Sequence, residues 1–266
     1  MRRILAFFLL CLTFSVQAFE KRMVIIIPSY NNLVWYQKNL SSILAQTYRN
    51  YRVIYIDDCS PDGTGQAVEE YLRKNDDRKC VSLIYNRERR GALANLYYAI
   101  HSCDDDEIAV LVDGDDWLYH PHVLQQLSDV YSSGEIWFTH GRLIEYPGGG
   151  ISWCEPLPPK VISERSYRRF KCPSHLRTFY VGLFKKIRLE DLQYKGEFLK
   201  MAWDMAIMYP LAEMAEERHA FIHGVNYVYN MANPINDNKV NPDLQNFLDH
   251  LIRNRPSYPR LEGAPF

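Results

Sequence analysis

Asp113, Asp115 and Asp116 stand together in the run Asp113-Gly114-Asp115-Asp116, directly after the apolar stretch Glu107–Val112. Carboxylates at alternating positions of a tight turn can bring oxygens to one hard cation such as magnesium or manganese. A cation held in this way neutralises a diphosphate and helps it leave. Three unpaired carboxylates packed so closely repel one another, and a bound cation relieves that cost. A solvated acidic turn capping the next helix is the competing reading of the same residues. Asp104-Asp105-Asp106, at the other end of the stretch, reads as such a solvated turn.

The elements around this turn decide between the two. Met23–Pro28 is a continuous β-rich apolar run, the kind buried on both faces of a parallel sheet. Tyr51–Asp57, Val81–Tyr85 and Glu107–Val112 read as further strands, and helical patterns cover Leu33–Gln46, Gly65–Lys74 and Arg90–Ser102. Asp62 or Thr64 suits the N-cap of the second helix. Strands alternating with helices give right-handed βαβ units and a mostly parallel sheet, whose ligands sit at the carboxyl ends of the strands. Ser29-Tyr30-Asn31, Asp57-Asp58 and Asp113 to Asp116 all fall at such ends. Beyond Leu124 the rhythm changes: a helix Pro121–Tyr131, a strand Glu135–Thr139 and a helix Lys200–Glu217 are expected, with two short strands around His223 and Tyr227. The proline-rich tail after Asn254 reads as loosely ordered.

Three motifs in this order carry a resemblance: Pro28-Ser-Tyr-Asn31, the run Gln46 to Thr64 with Asp57-Asp58, and Asp113-Gly-Asp-Asp-Trp-Leu118. Together they resemble the signature of family 2 glycosyltransferases, strongly over Met23–Leu124 and weakly beyond. The resemblance implies an α/β fold: a single GT-A (Rossmann-like) domain with a mixed, mostly parallel central sheet flanked by helices. It implies that Pro28, Ser29, Tyr30, Asn31 and Asp58 hold the nucleotide base. Arg90, Gly91 and Asn95 would lie near the nucleotide, and Asp113 and Asp115, with Gly114 between them in the donor site, would face the ribose and diphosphate. Asp115 or Asp116 would bind the metal, a manganese or magnesium ion. UDP is the expected nucleotide on the same ground. A glycine opening a helix lets an anion approach the N-terminus closely; an exposed charged loop is the alternative for Arg89-Arg90-Gly91.

Sugar transfer with inversion needs a carboxylate to remove the acceptor hydroxyl's proton opposite the leaving diphosphate. The family places this base in a Glu-Asp pair opening a late helix. Here Ala202-Trp203-Asp204-Met205 matches best, with Asp204 as base and Trp203 where the glutamate would stand; a plain N-cap is the alternative role for Asp204. A basic run holds Arg165, Arg168, Arg169, Lys171, Arg177, Lys185, Lys186 and Arg188. From it His175 and Arg177, with Trp203, are the expected acceptor-side contacts. A late histidine found in many relatives is replaced by Tyr229-Asn-Met-Ala-Asn233, and His219 and His223 read as structural.

The chain of 266 residues is 47% hydrophobic and 24% charged, a globular composition. Its formal net charge of −1 gives no global electrostatic case for nucleic acid. Met1-Arg-Arg3, the apolar Ile4–Val16 and Val16-Gln-Ala18 read as a signal peptide or an N-terminal anchor over residues 1–18. Secretory or membrane association through residues 4–16 follows from either. Nucleotide sugars are made in the cytosol, so the compartment stays open. Residues 19–140 are then the nucleotide-sugar-binding half, 141–254 the acceptor-binding half and 255–266 the tail. Beyond the leader, five cysteines without CxxC spacing give a structural zinc site no support, and their odd number leaves at least one thiol unpaired. No GxxxxGK[ST] loop supports an ATPase. The expected partners are a nucleotide-sugar donor and a glycan, lipid-linked or protein acceptor. The alternatives are a sugar nucleotidyltransferase, which the Ser29-Tyr30-Asn31-Asn32 loop disfavours, and a catalytically inactive nucleotide-sugar or glycan binder.

Overall fold

The computed structural model describes residues 20–152, 154–235 and 241–266, so the leader expected over residues 1–18 lies outside it. Strand β1 (Met23–Ser29) is buried along its whole length. It pairs in parallel with β2 (Tyr51–Asp57) on one side and β4 (Ile108–Leu111) on the other. β3 (Val81–Tyr85) closes the edge in parallel beside β2. Helices α1 (Tyr36–Leu44), α2 (Thr64–Asn75) and α3 (Ala92–His101) are the crossovers. α1 buries Leu40 and Ile43, and α3 buries Leu93, Leu96 and Ile100, the spacing that turns one apolar stripe to the sheet.

The sheet continues without a break through the second half of the chain, in the order β3-β2-β1-β4-β7-β6-β10-β5. After β5 (Trp117–Leu118) and α4 (Val123–Tyr131), β6 (Phe138–Tyr146) is reached. A short helix α5 (Pro159–Ser163) precedes β7 (Arg177–Tyr180), which runs antiparallel between β4 and β6. α6 (Val181–Phe184) leads to a hairpin of β8 (Gln193–Tyr194) and β9 (Glu197–Phe198). Then come α7 (Trp203–Ala215), β10 (His219–Asn230) and α8 (Pro242–Arg253). β10 pairs in parallel with β6 and antiparallel with β5, Tyr227 opposite Leu118 and Val228 opposite Trp117. That last pairing clamps the segment after Asp113–Asp116 against the end of β10.

Several expectations are corrected. The N-cap of α2 is Gly63, with φ of 87°, rather than Asp62 or Thr64; Asp62 instead accepts the Thr64 amide at 3.0 Å and its hydroxyl at 2.6 Å. The strand expected at Glu135–Thr139 begins at Phe138 and runs on to Tyr146, because β10 offers a partner along that length. The two short strands around His223 and Tyr227 are one, its register shifting between Ile222 and Tyr227, where bulges absorb the extra residues. The tail is ordered: Tyr258 is buried, donates its hydroxyl to Asp191 at 2.5 Å and its amide to Glu213 at 2.9 Å. Glu213 itself is fully buried and takes both prongs of Arg168 at 2.6 and 2.9 Å. All five cysteines beyond the leader are free thiols. No helix among the described residues is long and apolar enough to cross a membrane.

Candidate active site

The register of the parallel strands puts the first two polar turns side by side. Ser29 lies opposite Asp57, and the Asp58 amide donates to the Ser29 carbonyl at 2.8 Å. The acidic turn joins the same rim, since the Gly114 amide donates to the Pro28 carbonyl at 3.2 Å. Gly114 is sterically required there: a Cβ would stand 2.6 Å from Asn32 Nδ2 and 2.7 Å from Ser29 Cβ. The Ser29 hydroxyl is held by Tyr55 at 2.8 Å and Asn32 at 3.0 Å. Asn31 takes the left-handed conformation at φ of 55°, which asparagine tolerates better than most residues.

Asp58 gathers a third loop to this rim. One carboxylate oxygen accepts the Arg90 amide at 2.8 Å and Asn86 Nδ2 at 2.7 Å, and the other accepts the Gly91 amide at 2.8 Å. Burial pushes its pKa up, but the hydrogen bonds from Arg90, Asn95, Asn86 and Gly91 outweigh that and hold it below the ordinary value. Asn86 also donates to Asn95 Oδ1 at 2.7 Å. Gly91, at φ of 87°, opens α3, and the Arg89 guanidinium lies 3.8 Å over the Tyr30 ring. Pro28, Ser29, Tyr30, Asn31, Asp58, Arg90, Gly91 and Asn95 thus belong to one neighbourhood.

The acidic turn is fixed through its backbone. Asn39 Nδ2, on α1, donates to the carbonyls of Asp113 at 3.0 Å and Asp116 at 2.8 Å. The Asp113 amide donates to the Tyr227 hydroxyl at 3.1 Å. Asp116 Oδ1 accepts the Asn230 amide at 2.7 Å, while its Oδ2 is buried and has no hydrogen-bond partner among the described residues. Asp115 turns elsewhere, accepting Asn233 Nδ2 at 2.7 Å. Burial, then the Asp113 charge, pushes Asp115 up to about 6. Burial, then the charges of Asp115 and Asp113, drives Asp116 well above the carboxylate range. For Asp113 burial is outweighed by the His175 hydrogen bond and the Arg177 charge, so its pKa falls.

His175 and Arg177 stand against this turn. His175 Nε2 is 3.3 Å from Asp113 Oδ2, and its ring stacks on Tyr227 with centroids 4.5 Å apart. The Arg177 guanidinium meets the same Nε2, and burial, then the Arg177 charge, lowers the His175 pKa. Arg177 lies 5.0 Å over the Trp203 ring, and its buried Nε has no hydrogen-bond partner among the described residues. Asp113, Asp116 and His175 each offer a ligand atom within 4.8 Å of the others. The group with metal-ligand spacing therefore pairs Asp116 with Asp113 and His175, and Asp115 lies outside it.

Trp203 and Asp204 begin α7 after Ala202, at φ of 53°. Every residue of α7 is buried except Asp204. Asp204 opens onto a cavity of about 510 Å³, lined also by Lys171, Cys172, Ser174 and Met205 and, from α8, by Gln245, Asp249 and Arg253. The rest of the basic run is largely committed to structure: Arg165 pairs with Glu216, Arg168 with Glu213, Lys185 with Asp105 and Arg188 with Asp191. His219 packs against Phe138 and His140, with ring centroids at 5.4 and 6.0 Å. Sequence reasoning missed Asn39, Asn86, Tyr227 and the α8 residues. Polar side chains on helices and strands give no sequence signal of what they will meet.

The sheet with its loops on one rim is that of the GT-A glycosyltransferases. Staphylococcus aureus TarS, solved in complex with UDP-GlcNAc, superposes with a TM-score of 0.60 at 16% identity, covering 80% of this chain and 59% of that one. A mannosyltransferase from Pyrobaculum calidifontis, solved with GDP-Man and Mn2+, gives a TM-score of 0.58 at 20% identity, covering 90% of this chain and 66% of that one. Residues 24–185, more than half of the chain, match the profile of glycosyl transferase family 2, and the chain belongs to that family. It is 27% identical over 177 residues to the GalNAc(5)-diNAcBac-PP-undecaprenol beta-1,3-glucosyltransferase of Campylobacter jejuni, covering 66% of this chain and 56% of that protein. The chain spans only about a third of other glycosyltransferases it matches, 36% and 37% for two from Bacillus subtilis and 34% for one from Nostoc.

Proposed function

We propose that this chain transfers a sugar from a nucleoside diphosphate to an acceptor hydroxyl, with inversion and with the help of a divalent cation. The observation that carries this reading is the meeting of the Ser29–Asn32, Asp58–Gly91 and Asp113–Asp116 segments on one rim, with Asp204 at the start of α7 beside Trp203, over which Arg177 lies. Solved relatives of the same fold in complex with UDP-GlcNAc and with GDP-Man and Mn2+ support a nucleotide-sugar donor.

Pro28 to Asn31, Asp58, Arg90, Gly91 and Asn95 would line the nucleotide. The orphaned buried Asp116 Oδ2 and the spacing of Asp113, Asp116 and His175 fit a divalent cation. Such an ion would neutralise the leaving diphosphate. Arg177, charged and with an unpartnered Nε, is suited to the same anion. Asp204 takes the proton of the acceptor hydroxyl as its oxygen bonds to the anomeric carbon and the diphosphate oxygen leaves from the opposite face. Membrane or secretory association through residues 4–16 belongs to this proposal and rests on the sequence alone.

A thermal-shift panel of nucleoside diphosphates, with and without Mn2+, tests the reading. One nucleotide should raise the melting temperature in a metal-dependent way. Asp116→Asn should abolish the metal-dependent part. Asp204→Asn should keep it and lower transfer by about 10²–10⁴-fold; transfer at the normal rate would remove Asp204 from the mechanism.

A further inference from the structure

α1 packs against β5 and carries a row of polar side chains toward it. Asn39, Ser42 and, just past the helix end, Gln46 recur at i, i+3 and i+7, so they share one face. Each meets the main chain of the stretch that runs from the acidic turn through β5 to the start of α4. Asn39 Nδ2 reaches the carbonyls of Asp113 at 3.0 Å and Asp116 at 2.8 Å. Ser42 Oγ accepts the Leu118 amide at 3.1 Å. Gln46 donates to the His120 carbonyl at 2.9 Å and accepts the Leu124 amide at 3.1 Å. β5 stands at the edge of the sheet with β10 alone as its strand partner. The row of side chains supplies the second partner that buried main-chain groups require.

The three rungs are not equivalent. Gln46 uses both ends of its amide, and the Ser42 hydroxyl both accepts and donates, going to the Asn39 carbonyl at 2.7 Å. Asn39 is fully buried, yet its Oδ1 has no hydrogen-bond partner among the described residues. Turning the amide over is no remedy, because its oxygen would then face two carbonyl oxygens. Nor does the Asp113 carbonyl depend on Asn39, since it already accepts the Asp116 amide at 3.0 Å within the turn. The bond to the Asp116 carbonyl is offset by the unpaired oxygen, so folding draws little from Asn39. What its two bonds fix is direction. With both ends of the turn tied to one nitrogen, the main chain at Asp113 and Asp116 is set relative to α1, and so are the directions in which their side chains leave it. Those side chains, with His175, bring ligand atoms within 4.8 Å of one another.

We infer that Asn39 is a positioning residue: it sets the spread of the Asp113 and Asp116 carboxylates, and with it the affinity of the turn for a divalent cation. The inference rests on the reading of Asp113, Asp116 and His175 as a metal group. Asn39 acts through the main chain of the turn alone, and Ser42 and Gln46 hold β5 without taking part in the aim.

Mn2+ titrated into the full chain, with the free ion counted by electron paramagnetic resonance, tests it at a temperature where circular dichroism shows each variant folded. Asn39→Leu removes the donor and the unpaired oxygen together; Asn39→Ala does the same should leucine overfill the site. Either should weaken Mn2+ binding by about 10–100-fold, the loss typical when a group that orients a metal ligand is removed. Urea unfolding of the metal-free Asn39 variants should stay close to that of the parent. Ser42→Ala, one rung along, should show the reverse pattern: a lower unfolding midpoint, because the Leu118 amide loses its acceptor, and an unchanged Mn2+ titration. A merely structural Asn39 would move the unfolding curve and not the titration. The inference is overturned if the Asn39 variants bind Mn2+ as the parent does, which leaves the metal reading intact. It is overturned too if Ser42→Ala weakens binding equally, which would make the whole row, not Asn39, responsible. A parent that takes up no Mn2+ sinks the metal reading and this inference with it.

Discussion

The rim that carries the polar turns and the side built around α7 and α8 are made by different means. The rim is made of short turns at the ends of parallel strands, held mainly at the main chain: by backbone hydrogen bonds such as Asp58 N–H to Ser29 and Gly114 N–H to Pro28 and, at the acidic turn, by Asn39 and Tyr227 reaching its carbonyls and amide. The α7–α8 side is made of long-range side-chain contacts: the Arg168–Glu213 pair, the hydrogen bond from Arg253 to the Arg168 carbonyl and the Tyr258 anchor join segments more than 40 residues apart. A turn whose geometry is set by its own backbone tolerates no change of shape. A wall assembled from side chains can change its lining while keeping its frame.

The sharpest way to break this contrast is Arg168→Met. It leaves Glu213 buried without its partner, a loss of about 3–5 kcal/mol. Hydrogen exchange should show α7, α8 and the tail opening first, with the amides of β1 and β2 protected longest; uniform loss of protection would mean the two regions are one cooperative unit. A smaller effect is expected at the rim. Gly114→Ala forces a Cβ to within 2.7 Å of Ser29, which should cost about 1–3 kcal/mol and remove the metal-dependent nucleotide shift. Unchanged nucleotide binding in that variant would show that the turn has slack.

A third effect, spread over several pH units, lies on the seam between β6 and β10. Burial, then the His219 charge, lowers the His140 pKa to about 3 from its ordinary 6.5. Below pH 6.5 the unfolded chain takes up a proton that the folded chain refuses. The stability this histidine contributes is therefore complete above 6.5 and drains away as pH falls toward about 3, by at most about 1.4 kcal/mol per pH unit. His140→Phe, in a stack already flanked by Phe138 and Phe221, should flatten urea-unfolding free energies between pH 6.5 and 4. An equally steep decline would assign the acid sensitivity to His219 and the carboxylates.

The same contrast explains what could be read in advance. β2 and β3 fall on the residues expected for them: β2 is a nearly fully buried parallel strand ended by turn residues, and β3, a largely exposed edge strand, is a short apolar run set off by turns. Asp58 and Asp113–Asp116 stand at strand ends, where the alternation of strands and helices put them. α8 and the ordered tail were not legible, because Tyr258 owes its place to Glu213 and Asp191, which lie far back in the chain. His175 was expected on the acceptor side and lies against Asp113, because β7 runs antiparallel to β4 and returns its start to the acidic turn. Asn39 gave no signal at all; a helical asparagine declares its purpose only once two carbonyls are seen above it.

Helix α7 exposes nothing but Asp204, and that has a bearing on re-engineering. The position of this one carboxylate is a vote of the entire core, so no local substitution can re-aim it without repacking a dozen neighbours. Efforts to redirect the protein should therefore leave α7 untouched and spare Arg253, whose hydrogen bonds to the Arg168 and Phe170 carbonyls hold α8 in place.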